Sequence, residues 1–309
     1  IGLLILTGLN VISIPDSTFP IIGTIIGAFI FGIGIVLAGG CATGTWYRAG
    51  EGLIGSWVAL VLYAVTAAIT KTGILLPVMS WINKPTNINA NMSQTTGIHM
   101  WVFTLVLTII TIIFVTKTLR KPKPKFAVPK LKQKYSGLRH YLFEKRYHPF
   151  VAGIAVGLIA LIAWPMSIST GRDYGLGITT PSANLITFLI TGDTKLIDWG
   201  VLLILGIFLG SYIAAKGSRE FKWRLPDKKT IRNSAIGGIC MGFGASVAGG
   251  CSIGNGLVET AIMSWKGWIA LGSMILGVWF MSYFIFIRPI KKLEKQTSKS
   301  QATTATKQV

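Results

Sequence analysis

The sequence predicts an all-α polytopic membrane protein of about 8–9 transmembrane or re-entrant helices built around an inverted-topology internal repeat. Three observations predict it: a composition too apolar for a soluble surface, basic charge gathered into blocks between apolar runs, and a glycine–cysteine motif that occurs twice.

The 309 residues are 51% hydrophobic and 13% charged, with a mean hydropathy of +0.60, so most of the chain cannot be the exterior of a soluble domain. A membrane-crossing helix needs about 20 mainly apolar residues. Candidate segments are 1–14, 20–38, 53–70, 100–116, 150–168, 198–215, 233–249 and 267–288. The first begins at Ile1, already inside an apolar run, which leaves room for a missing N-terminal part. A shorter apolar piece, 183–190, follows Pro181 and is too short to cross alone, so a re-entrant or interfacial helix is expected there.

Thirty Lys and Arg against ten Asp and Glu would suggest nucleic acid in a soluble protein. Here the charge marks topology instead. Residues 117–146 hold eleven basic residues and one acid, residues 216–232 hold seven and two, and the stretch from Arg288 onward holds six and one. The positive-inside rule places all three blocks in the cytoplasm. The chain therefore divides into a first membrane half (1–116), a basic cytoplasmic linker (117–149) broken by the prolines of KPKPKFAVP, a second membrane half (150–288) and a cytoplasmic tail (289–309) whose composition predicts disorder.

The repeat aligns IGAFIFGIGIVLAGGCATG (26–44) with IGGICMGFGASVAGGCSIG (236–254), nine of nineteen positions being identical at an offset of 210. Beyond the shared GxGxxxAGGCxxG frame, SWVAL at 56–60 matches GWIAL at 267–271. Parity fixes the orientation of the copies. Segment 100–116 ends at a basic block, so 53–70 runs outward, whereas 267–288 ends at the basic tail and runs inward. Opposed copies are a common transporter plan, and they bring Cys41 and Cys251 toward the bilayer midplane from opposite sides.

In each copy a helix rich in small residues meets Ala-Gly-Gly-Cys, with a further glycine three residues on. Gly39–Gly40 and Gly249–Gly250 are expected helix ends, with Gly44 and Gly254 admitting close backbone approach beyond them. Thr43, Thr45, Ser252 and Asn255 are candidate caps of a second half-helix, whose N–H groups and positive dipole end favour an anion. Glycines at these spacings also serve plain helix packing, with cysteine as a small buried hydrophobe. Matched glycines around a matched cysteine in both copies favour a pore site.

The third cysteine, Cys240, lies eleven residues before Cys251, close to three helical turns, which would put both thiols on one helix face about 16 Å apart. Its counterpart in the first copy is Ile30, so pore-lining and packing roles stand level for it. Three cysteines without a CxxC pair give neither a disulfide framework nor zinc-finger spacing, and no cofactor or metal set is evident. No nucleotide-binding loop is visible, so a gradient or consumption of the product must drive any transport.

On LAGGCATGTWYRAGEG (37–52), VAGGCSIGNGL (247–257) and GRDYGLGITTPSANL (171–185), the chain resembles the YeeE/YedE sulfur-transport family over nearly its whole length. The resemblance implies a bacterial inner-membrane transporter or channel, not an enzyme, taking up thiosulfate or a related small sulfur-containing anion. It implies that Cys41 and Cys251 hand the anion along the pore through thiol hydrogen bonds, and that a cytoplasmic TusA-like sulfurtransferase is a partner, with the basic linker one place for it to dock. Family members can carry a further functional cysteine near the N-terminus. None precedes Cys41 here, which leaves either a missing segment or Cys240 in its place. The chemistry suits the role. A neutral S–H is a weak, polarizable donor matched to a terminal sulfur, whereas a thiolate would repel the anion, so both thiols are expected to be protonated.

Among charged residues, Arg48 and Arg172 are candidates for attracting anions. The alternatives are interfacial snorkelling for Arg48 and a turn ion pair with Asp173 for Arg172. Glu51 and Glu259 follow the two motifs; Lys71 and Lys84 add positive potential on the outer side. Thr179, Thr180, Ser182 and Asn184 could line a vestibule or be ordinary loop residues. Two other function classes compete. A membrane thiol oxidoreductase would need a cysteine pair able to cycle, and a soft-metal transporter would use the thiols with Met241 and Met281. A selenium compound is a further possible cargo.

Overall fold

The computed structural model describes residues 1–12, 18–84, 91–120, 137–145, 147–172 and 174–291. They form α1 (Gly2–Gly8), α2 (Ile21–Ala38), α3 (Ala42–Gly50), α4 (Ile54–Thr72), α5 (Leu76–Ile82), α6 (Met92–Thr96), α7 (Met100–Arg120), α8 (Leu138–Phe143), α9 (Pro149–Ser169), α10 (Thr179–Thr191), α11 (Trp199–Gly217), α12 (Lys228–Val247) and α13 (Trp265–Ser282). Single π-helical stretches occupy Gly254–Glu259 and Tyr283–Ile287. Most of the linker and the tail lies outside the described residues.

Among the described residues, six helical stretches are long and apolar enough to cross a membrane: 21–50, α4, α7, α9, α11 and 265–291. The chain is a multi-pass membrane protein. The remaining expected segments differ in instructive ways. Segment 1–14 yields a helix of only seven residues, α1. The 233–249 segment is α12, whose first turns carry Lys228, Lys229 and Arg232 and whose remainder is rich in glycine and serine. It is not among these six stretches, and it packs against α2 and α4. The piece around 183–190 extends to thirteen residues as α10, beginning before Pro181.

Burial sorts the helices into an interior and a lipid-facing set. Half of the apolar window of α4 is buried inside the protein, against 6% of that of α7. Helix α7 is apolar all round, as a helix bathed in hydrocarbon should be.

The interior is built on α2 and α12, which cross antiparallel. A methyl group at Gly27 would sit 2.5 Å from Ala248 N, and one at Gly237 would sit 2.5 Å from Ala38 N. These are the same contact made twice, since 27 and 38 correspond to 237 and 248 at the repeat offset. The outer pairs are reciprocal too. Helix α4 packs on α12 with Gly242 against Tyr63 O, and α13 packs on α2 with Gly32 against Met274 O. Only a missing side chain allows backbones so close, which is why the glycine frame precedes both cysteines.

Candidate functional site

Each motif ends its helix in the same way. Gly39 and Gly249 take left-handed backbone at φ 73° and 70°, and the chain turns out of α2 and α12. Cys41 then stands in extended conformation as the residue before α3. After Cys251 the chain takes a looser course into the π-helical stretch. The backbone N–H groups of Thr45 and Asn255, another matched pair, return to the carbonyls of Cys41 and Cys251 at 2.9 and 2.8 Å. The expected side-chain caps are not used: no side chain caps α3, Thr45 Oγ1 bonds Ala42 O, and Asn255 Nδ2 holds the carbonyls of Ala248 and Gly250. The first N–H groups of α3 therefore keep no side-chain acceptor.

At the second motif a cavity of about 250 Å³ is bounded by Cys251, Arg172, Tyr174, Thr179 and Thr180, with Gly249, Gly250 and Gly254 exposing backbone to it. Cys251 itself is 1% exposed. Arg172 lies 3.5 Å from Asp198. Asp173 lies outside the described residues. Burial lowers the Arg172 pKa and Asp198 opposes that. Tyr174 donates to Glu259 Oε1 at 3.0 Å and lies 3.2 Å from Gly254 O. Burial, then the charge of Glu259, push its phenol well above the ordinary range, so it is a neutral donor. Glu259 pairs with Lys266 at 3.2 Å, and Lys266 Nζ lies 3.5 Å from Gly249 O. Lys71 donates to Thr180 Oγ1 at 2.5 Å. Three cations thus stand at one small mouth, Arg172 in its lining and Lys71 and Lys266 on the lining residues Thr180 and Gly249, with Asp198 and Glu259 paired to two of them.

The first motif opens on the opposite face. Arg48 donates to the carbonyl of Gly39 and packs over Gly40. Together with Arg224, Ser56, Thr230 and Ser234 it bounds a second cavity of about 230 Å³. Both mouths therefore hold the left-handed glycine's carbonyl with a cation, Arg48 in one and Lys266 in the other, although these two residues do not correspond in the repeat. Cys41 is half-buried, with its sulfur beside Gly44, and lines neither cavity.

Between the mouths the path is filled. Helix α4 runs from one face at Leu53 to the other at Lys71, about 27 Å, with Tyr63 near its midpoint. Tyr63 is fully buried, in one packed cluster with Cys251. Its hydroxyl donates to Thr179 Oγ1 at 2.8 Å, and Trp46 Nε1 donates to Ser182 Oγ at 3.0 Å. The first turn of α10 is thereby fastened to α3 and α4. The hydroxyls read from GITTPSAN as vestibule or loop residues belong to a helix.

One expectation fails. Helix α12 stops at Val247, so Cys240 and Cys251 do not share a helix face. Cys240 is half-buried and lines neither cavity. Sequence reasoning also missed Tyr63, Tyr174 and Lys266. Extending the second match to SWVALVLY against GWIALGSM sets Tyr63 opposite Met274, and Lys266 is a charge at the start of an apolar segment; either was a usable signal.

Comparison with known proteins agrees with this architecture. Over 298 residues the chain is 51% identical to the thiosulfate transporter TsuA of Escherichia coli K12, covering 96% of this chain and 84% of that protein. It is 32% identical over 300 residues to the thiosulfate transporter TsuA of Spirochaeta thermophila, covering 92% and 84%. A shorter match, 33% identical over 107 residues, reaches the probable transporter YedE of Escherichia coli K12 and covers 33% of this chain and 26% of that protein. The sulphur transport family matches residues 1–280, and with the relatives aligned along nearly the whole chain, this protein belongs to that family.

Proposed function

We propose that this protein carries thiosulfate across a bacterial inner membrane, passing it from the Cys251 cavity to Cys41 along neutral thiols. The observation that carries the reading is the Cys251 mouth, where a thiol, two threonine hydroxyls and three cations meet around about 250 Å³. A divalent anion shedding water must find donors at once, and this mouth supplies hydroxyl, thiol and cationic donors, with one positive charge in excess of the carboxylates Asp198 and Glu259. The thiols beyond are weak donors, which lets the anion leave again. The positive-inside rule makes the Arg172 mouth external and the Arg224 mouth cytoplasmic, so the crossed, reciprocal copies act as an inverted repeat in the membrane. The two membrane halves, 1–116 and 150–288, then each supply one thiol. A TusA-like sulfurtransferase on the cytoplasmic side would consume the anion and keep the flux inward.

The test is growth of a host that lacks its own thiosulfate uptake, with thiosulfate or sulfite as sole sulfur source. Cells making this protein should grow on thiosulfate, and cells without it only on sulfite. Failure of the producing strain to grow on thiosulfate while it grows on sulfite, with the protein present in the membrane, would refute the assignment.

A further inference from the structure

We propose that Thr179 is a substrate-binding residue that donates a hydrogen bond to the anion beside Cys251, and that Tyr63 positions it; this rests on the thiosulfate reading above. Thr179 is the first residue of α10, is 3% exposed, and lines the Cys251 cavity. A threonine hydroxyl has one proton to give and two lone pairs to receive with. One lone pair is taken by the Tyr63 hydroxyl at 2.8 Å. A phenol is the stronger donor and the poorer acceptor of the two, which fixes the direction of that bond. The Thr179 proton finds no acceptor among the described residues, and the space it borders is the cavity. A buried hydroxyl with an unused proton is costly unless something arrives to accept it.

The neighbours fit the same occupant. Lys71 donates to the adjacent Thr180 hydroxyl and so brings its cation to the cavity wall; Thr180 keeps its own proton too, but it is only half-buried, so water can accept that proton where none reaches Thr179. Arg172 lines the same cavity. A donation from Tyr63 polarises the Thr179 O–H and strengthens its donation onward, a cooperative effect that a phenylalanine could not supply. The thiol of Cys251 would then meet the sulfur end of the anion and Thr179 an oxygen. A thiol alone offers no such discrimination between the two ends.

Initial uptake rates across thiosulfate concentration, in cells with matched amounts of protein in the membrane, test this. Thr179→Val keeps the shape and removes the hydroxyl, and the apparent KM should rise roughly ten- to a hundredfold, as for a lost hydrogen bond to a charged ligand. Thr179→Ser should stay within about threefold of wild type, and Tyr63→Phe should raise KM by about three- to tenfold with the maximal rate retained. A Thr179→Val KM within twofold of wild type, with Cys251→Ala inactive, would overturn the proposal and leave the thiol reading standing. If both variants transport like wild type, the thiol reading goes with it. Should Thr179→Val not reach the membrane, Tyr63→Phe decides: an unchanged KM overturns the positioning role.

Discussion

The two motif copies share a backbone and differ in their chemistry. In both, a glycine-lined helix ends at a left-handed glycine, a cation holds that glycine's carbonyl, and a cysteine follows. The first copy then continues into a regular nine-residue helix, α3, and leaves Cys41 half-buried outside either cavity. The second relaxes into a π-helical stretch, buries Cys251, and opens a cavity onto it edged by hydroxyls and cations. The repeat supplies two crossing points; in the function proposed above, the divergence between them separates a capture side from a release side.

Breaking the shared part should cost most. Gly32→Val and Gly242→Val each drive a side chain into a backbone carbonyl of the neighbouring helix and should destabilise by ~3 kcal/mol, seen as a lower unfolding midpoint of the detergent-purified protein. Equal losses are expected, because the two contacts are reciprocal. A tolerated change at one of them would break the equivalence.

Divergent positions should respond unequally. Asn255→Ala releases the carbonyls of Ala248 and Gly250 and should cost about 2 kcal/mol, whereas Thr45→Ala, losing a bond within its own helix, should cost well under half of that in the same melt. Thiol accessibility sharpens the contrast: without substrate, a maleimide should modify Cys41 about tenfold faster than Cys251, read by mass spectrometry. Arg48→Met should have the mildest effect, slowing uptake by about threefold, since Arg224 remains at that mouth, whereas Lys266→Met also strips the buried Glu259 of its partner and should slow uptake more.

Much of this was legible in the sequence, for identifiable reasons. The breaks at Gly39 and Gly249 could be read because doubled glycine before a cysteine is where a helix can turn left-handed. The spans could be read because lipid demands long apolar runs. Helix α12 escaped that logic in composition, since a helix enclosed by α2 and α4 can be polar and small. The π-helical course after Cys251 was not legible, because the same Cys-x-x-Gly frame leads to α3 in the other copy. Nor was the clasp of α10, where Trp46 reaches Ser182 and Tyr63 reaches Thr179 across more than a hundred residues of chain. The helix face expected to be shared by Cys240 and Cys251 fails because a helical spacing does not continue past Val247, where the helix ends.

The most direct test of a thiol path is uptake of radiolabelled thiosulfate into proteoliposomes holding equal amounts of wild type, Cys41→Ala, Cys251→Ala or Cys240→Ala. Initial rates for the Cys41 and Cys251 variants should fall by at least about tenfold, while Cys240→Ala stays near wild type. Wild-type rates from a properly inserted Cys41→Ala or Cys251→Ala protein would contradict the thiol path.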